Sequence, residues 1–450
     1  MIKRKIQITL IACFIFPVSC LFAQINSDSL IAAYTQKIQK YLDKEKFASQ
    51  CFSFTKNGIE VYSPATDTSQ KKIEYIIFWN ELDAFKLLLC NYDSRDAYQF
   101  CLMKKKNPFS KDTINAIHKR RYIPPKILRP SNNLLAHYKI ALDPGHIAGN
   151  IETAKMERKW VKIKAKKLLK GESSEDASIQ LIEGEITLAT AQILIKKLEK
   201  EGATVMLTRD KSNQSAFGIE FKKWKDSLFV RSVDSAFVRG DISYEEKNFL
   251  LSKANDTEIF RRFFLQEEMY ERARKINDFH PDLSIIIHYN VDGTNQNWNK
   301  PTKKNFVMAF VGGGFTKDEF EKPEARIEFL RLLLTDDIEQ SIMTSKHIVN
   351  SLSEKLNIPV AIDSSATYLY DNCMQTDVPG VFCRNLTLTR IVKGTLVYGE
   401  SLYQDNINEC KLLNKKEIMI DEIKTSKRVE EVAESYFEGI MNYVKEKQNK

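Results

Sequence analysis

In this sequence imidazoles and carboxylates stand where apolar runs stop, and that placement is the first sign of chemistry. His146 follows "KIALDPG", in which Ile140, Ala141 and Leu142 form a short core-like run and Pro144-Gly145 is a turn signal that interrupts it. His288 closes "LSIIIH" and Glu400 closes "GTLVYGE", while Glu183, in "LIEGEITL", opens a helical pattern. In open α/β sheets ligands bind at the rim formed by the carboxyl ends of the strands, so groups in these positions can converge on one crevice. Two neutral imidazoles and a carboxylate are the ligand set of a catalytic zinc site that keeps its fourth position for water. A further carboxylate can then take the proton from that water.

The elements that must position these groups are legible as apolar periodicity. Ala191, Leu194, Ile195 and Leu198 fall at i, i+3, i+4 and i+7, a helix face that Gly202 ends; "TVMLT" (204–208) reads as the next strand. Leu265, Met269, Ala273 and Ile276 predict a helix before the strand that ends at His288, and "NFVMAFV" a strand that runs into Gly312-Gly313-Gly314. That triple glycine lacks the Lys-Ser/Thr of a phosphate loop and reads as a turn. Ile338, Ile342, Val349, Leu352 and Leu356 share one face of a helix that stops before Pro359, and Val429, Val432, Ala433, Tyr436, Ile440 and Tyr443 one face of the last helix. Such alternation predicts an α/β fold of three αβα layers around a mostly parallel, twisted sheet. Two segments do not fit it, lysine-rich 150–180 and polar 211–258, and both read as insertions.

Ahead of this region, residues 24–117 predict a small α+β region, with amphipathic stretches at "LIAAYTQKIQKYL" and "NELDAFKLLL" and a hairpin turn at Asn57-Gly58. Residues 118–137, with three prolines among basic residues, read as a linker to a catalytic region spanning 138–450. Residues 1–23 combine a basic start, an apolar stretch from Ile6 to Phe16 and small residues, which predicts a signal peptide cleaved after Ala23 and an exported protein. Lipid attachment at Cys20 is the competing expectation, weakened by Pro17 in "FPVSC". No later stretch approaches the roughly 20 apolar residues of a membrane span. The chain has 450 residues, 43% of them hydrophobic, and a formal net charge of +9 spread along its length, which favours an anionic polymer over a nucleic-acid partner. Cys51, Cys90, Cys101, Cys373, Cys383 and Cys410 show no CxxC pair and no dense disulfide framework, although pairing within the first three or the last three stays open.

From Lys139 onward the chain resembles the zinc-dependent N-acetylmuramoyl-L-alanine amidases of the Amidase_3 type, bacterial cell-wall hydrolases. The resemblance rests on Asp143 to His146 after a strand, Glu183 five residues before Leu188, and "EGATVMLTRD" with Gly202 and Arg209. It continues through Arg272 to Asn277, "IIHYN" with His288 and Asn290, and the looser "GTLVYGESLYQDN" with Glu400 and Asn406. It implies a phosphorylase/hydrolase-like fold, a Zn2+ cofactor held by His146, Glu183 and His288, and Glu400 as the catalytic base. Glu185 is the alternative ligand to Glu183. Asn290 and Arg384 are candidates for binding substrate, Arg384 by holding substrate or intermediate charge, and Asp143 for orienting the turn or a ligand.

The implied reaction is hydrolysis of the amide between N-acetylmuramic acid and L-alanine of the stem peptide, with peptidoglycan as partner, an activator protein as a further one, and a periplasmic location. Two alternatives stay open: a zinc peptidase cutting within the stem peptide, and a catalytically degenerate protein that binds peptidoglycan or a division partner. The family also includes enzymes in which an insertion covers the metal, so 150–180 and 211–258 are candidate lids. His118, His137, His280 and His347 are expected to be solvent-facing or structural.

Overall fold

The computed structural model describes residues 27–63, 71–120, 133–164, 178–295, 299–420 and 423–449. The expected leader with Cys20, most of the expected linker, and the lysine-rich 165–177 lie outside these residues.

The central sheet has seven strands. In chain order they are β1 (Lys139–Pro144), β2 (Thr204–Leu207), β3 (Leu283–Asn290), β4 (Met308–Val311), β5 (Cys373–Gln375), β6 (Val381–Arg384) and β7 (Leu396–Tyr403), and their spatial order is β5-β6-β4-β7-β3-β1-β2. β2, β1, β3 and β7 pair in parallel, β4 pairs antiparallel with β7 but parallel with β6, and β5 is an antiparallel edge. The sheet is therefore mostly parallel, and β3 is buried along its length except at Asn290, as a strand covered on both faces must be.

Helices supply those covers. One face carries α1 (Glu183–Lys200), α4 (Asp337–Leu356) and α5 (Lys427–Gln448), and Ile348, Leu194, Val432 and Tyr436 enter one core with Val397 and Ile285. On the other face α2 (Leu265–Phe279) packs Ala273 and Ile276 against Ala141 and Ile286. All the apolar positions assigned above to α4 and α5 are buried.

Residues 27–63 and 71–119 form an α+β region, a three-stranded antiparallel sheet with helices. Its apolar face covers α3 (Pro323–Leu334), where Phe52 stacks on Phe329 at 4.8 Å and Arg326 pairs with Glu74 at 2.9 Å. The hairpin turn lies one residue earlier than the Asn-Gly signal suggested: Lys56 and Asn57 occupy its centre, closed by the hydrogen bond from Thr55 N–H to Gly58 carbonyl, and Gly58 begins the strand.

Both insertions are built structures where described. Residues 150–164 and 178–182 form the helix Ile151–Glu157 and a two-stranded ribbon, Trp160–Lys164 against Ser178–Ile182. Residues 221–264 fold helically around their own cluster of Phe221, Trp224, Phe229, Phe260 and Phe264, which closes over Ile147, the neighbour of His146. Among the described residues Cys51, Cys90, Cys101, Cys373, Cys383 and Cys410 are free thiols, so neither suggested grouping is bridged.

Candidate metal centre

β1 delivers its chain to the rim, and the turn after Pro144 places His146 at φ +59°, a left-handed conformation that costs a non-glycine residue and needs support from its surroundings. Two buried arginines give that support. Arg209 donates to the carbonyls of Gly184 (2.7 Å) and Gly145 (3.3 Å), and Arg272 donates to that of Pro144 (3.1 Å). Arg272 also grips Glu268 through Nε at 2.7 Å and Asp143 at 3.3 Å, while the Thr208 hydroxyl donates to Asp143. Asp143 thus braces the turn, as its type suggested. Breaking one member of such a buried charge set costs about 3–5 kcal/mol.

Glu183 is the first residue of α1, where the helix dipole favours a carboxylate. Its Oε1 lies 3.0 Å from His288 Nδ1 and 3.3 Å from His146 Nε2 and accepts the Tyr289 N–H at 3.2 Å. Its Oε2 accepts from Gln404 Nε2 at 2.9 Å. The ligand atoms of His146, Glu183 and His288 all lie within 4.8 Å of one another, the one such group among the described residues. The two imidazoles meet edge to face at 4.7 Å and 87°.

The donor set fits an ion. His146 Nε2 is buried and faces Glu183 Oε1 at 3.3 Å, while its Nδ1 faces Glu157 Oε1 at 3.1 Å. With Nδ1 donating to Glu157, the lone pair of Nε2 points into the cluster, which is how outer carboxylates fix metal-binding histidines. Glu157 is itself held by the N–H groups of Ile147 and Ala148.

Burial disfavours charge on every member, and the outcome depends on the neighbours. For His146, burial pulls its pKa down but Glu183 and Glu157 outweigh it, lifting the imidazole to about 9. For His288 burial prevails, taking it down to about 4. Glu183, opposed by burial, is held well below the usual carboxylate range by His146. At neutral pH the metal-free cluster therefore carries a proton on His146, which a divalent cation has to displace. Metal uptake at pH 7.5 is expected to release about one proton. Calorimetric titration in two buffers of different ionisation enthalpy would read it, and a buffer-independent heat would contradict it. The sign also sets stability: the gain from a raised histidine is complete below its unfolded pKa of about 6.5 and is lost as pH climbs through about 9.

Glu400 on β7 is the Cα partner of His288 on β3, so the two side chains stand at one level, and the ladder is irregular just beyond Glu400. Glu400 Oε2 has no hydrogen-bond partner, and burial followed by the charge of Glu183 pushes the carboxyl up to about 7. A group with that pKa can exchange a proton at neutral pH. The Tyr398 ring lies flat on the His288 ring at 4.4 Å and 5°.

Of the other sequence candidates, Glu185 faces away, beside Lys416 in a groove lined by Gln180, Ile186 and Gln192, so the structure brings Glu183 to the histidines and not Glu185. Asn290 Nδ2 donates to the Tyr368 hydroxyl at 2.9 Å. Arg384 is half-buried between the Phe310 and Tyr368 rings. Asn277 fastens the chain before β7 by bonding Ile391 carbonyl and Lys393 N–H, and Asn406 caps the helix Ile407–Asn414. His118, His137 and His280 are exposed, and His347 pairs with Glu446 at 2.9 Å. Sequence reasoning missed Glu157 and Gln404. The only trace of Gln404 is its place four residues after Glu400, and Glu157 had none.

Fold and cluster together define a class: α/β proteins with a crevice lined by a His-Glu-His cluster at the carboxyl rim of a mostly parallel sheet. The sequence matches the family N-acetylmuramoyl-L-alanine amidase (Amidase_3) over residues 140–442. The chain belongs to that family and is an amidase, a hydrolase. Similar solved structures include the CwlD amidase from Clostridioides difficile in complex with the GerS lipoprotein, at 16% identity and a TM-score of 0.37 over 68% of this chain and 98% of that one. The apo N-acetylmuramyl-L-alanine amidase from Mycobacterium abscessus is 13% identical with a TM-score of 0.34, over 69% of this chain and 99% of that one. An N-acetylmuramoyl-L-alanine amidase of Nostoc punctiforme is 12% identical with a TM-score of 0.32, over 68% and 97%. No curated protein matches the sequence.

Proposed function

We propose that this chain is an exported, zinc-dependent peptidoglycan amidase that hydrolyses the bond between N-acetylmuramic acid and L-alanine of the stem peptide. One observation carries the reading: side chains from three separate segments place their ligand atoms within 4.8 Å of one another, inside the stretch that matches the family. His146, Glu183 and His288 would hold the ion. Zinc held there would supply a bound water with its pKa lowered to about 7 and a Lewis acid to polarise the scissile carbonyl. Glu400, poised near neutrality beside His288, receives the proton at its carboxyl oxygen and returns it to the departing alanine nitrogen. Glu157 and Gln404 hold His146 and Glu183 in place, and the Tyr398 ring walls one side of His288.

The proposed compartment is the periplasm, with peptidoglycan as the partner. Among the described residues no helix is long and apolar enough to cross a membrane.

Digestion of purified sacculi should release free stem peptides and leave glycan bare of peptide, and a chelator should remove the activity until zinc is restored. Peptide fragments still attached to sugar would support the peptidase alternative instead, and intact sacculi at full metal occupancy the binding-only alternative.

A further inference from the structure

The buried and half-buried arginines of this protein spend their donors on partners. Arg209 and Arg272 brace the His146 turn, Arg326 pairs with Glu74, Arg331 with Asp337, Arg390 with Glu328 and Arg428 with Glu409. Arg384 is the exception. It ends β6, is half-buried, and its side chain forms no hydrogen bond or ion pair among the described residues. Its guanidinium instead lies against two aromatic rings, themselves 6.5 Å apart and inclined at 62°, with Cζ 4.9 Å from the centroid of Phe310 and 4.8 Å from that of Tyr368. The rings hold the cation in place, and since none of its N–H groups is spent on a partner among the described residues, they are open to a carboxylate.

The two rings are continuous with the candidate metal centre. Phe310 lies 6.1 Å from Tyr398, the ring that covers His288. The Tyr368 hydroxyl is held by Asn290, two residues after His288. Glu400, on the same wall, forms no hydrogen bond or ion pair with Arg384, although the arginine's charge reaches it and favours its ionised form. A fixed positive charge a few side chains from the reacting carbonyl suits an anion carried by the substrate some bonds away from the cleaved amide. The sugar rings on one side of that amide are neutral, whereas the peptide on the other carries carboxylates.

We propose that Arg384 is the specificity determinant for the peptide side of the substrate, docking a free carboxylate of the residues that follow L-alanine. The inference rests on the amidase reading above and deepens it. The two ring contacts are already formed, so little side-chain freedom is lost on binding. A charge-assisted pair of this kind is worth roughly 10- to 100-fold in affinity.

The test uses the zinc-loaded full chain and two soluble substrates, an N-acetylmuramoyl-L-alanyl-D-glutamyl peptide with free carboxyls and the same peptide with every carboxyl amidated. Wild type should prefer the free acid by roughly 10- to 100-fold in kcat/KM. Arg384→Gln should lose most of that preference through KM, and Arg384→Lys should recover part of it. On the amidated peptide both variants should lose far less than on the free acid, and thermal melts and metal contents equal to wild type should show that they fold. Equal losses on both substrates would overturn the proposal by placing Arg384 at the reacting atoms or in the fold, and so would a wild type that does not discriminate. If wild type cleaves neither substrate, the amidase reading fails, and calorimetric binding of N-acetyl-L-alanyl-D-glutamate decides the clamp alone. Weaker binding by Arg384→Gln would sustain it, and equal binding would end it.

Discussion

Replacement of Glu400 by glutamine is expected to lower turnover by roughly 100- to 10,000-fold, the range for loss of a positioned general base, with metal content unchanged. Glutamine keeps the shape of the side chain and removes its capacity to hold a proton. The carboxyl is half-buried, has an unpartnered oxygen, and is raised to about 7 by burial and by Glu183. For a carboxyl raised in the folded state, the stability it offers is complete below its unfolded pKa of about 4.3 and is lost as pH rises through about 7. At pH 8 the glutamine variant should therefore be at least as stable as wild type while being far less active. A thermal melt beside a sacculus assay reads both quantities. Activity within a few-fold of wild type would remove Glu400 from the chemistry, and a lowered melting temperature at pH 8 would mark the side chain as structural.

How much of this was legible in the sequence depended on whether the signal was local. β1, β3, β7 and the helices α1, α2, α4 and α5 each announce themselves by apolar runs or by a 3.6-residue period, and their rim residues converge as that reading required. α3 was invisible because it is buried all round: residues 325–334 are all buried, so "PEARIEFLRLLL" has no polar face to set a period. β5 and β6 span three and four residues, too short to stand out, and their pairing makes the far half of the sheet partly antiparallel. Glu157 lies in a lysine-rich insertion, and nothing along the chain indicates that its carboxylate reaches back to His146. The choice between Glu183 and Glu185 needed the helix itself: two residues turn the side chain by about 200°, from the histidines to the groove beside Lys416.

The smallest change expected to dismantle the cluster is one methyl group at Gly145. A Cβ built there overlaps Cε1, Nε2 and Nδ1 of His288, whereas the adjacent backbone is pinned by Arg209 on the Gly145 carbonyl and by the Gly145 N–H donating to Ile287 at 2.9 Å. The imidazole is the free end of a side chain and the backbone is not, so the ring has to move. Its movement breaks the 3.0 Å contact with Glu183 and the stack on Tyr398 together. Gly145→Ala should therefore fold, because the displaced ring lies near the rim, yet bind metal at least about 10- to 100-fold more weakly, the loss seen when support for a ligand is removed. Turnover should fall by at least as much. Metal content after dialysis against a competing chelator, read beside a thermal melt of the metal-free protein, separates the two effects. If the alanine variant keeps wild-type metal affinity, His288 is not a ligand in the position its ring now occupies.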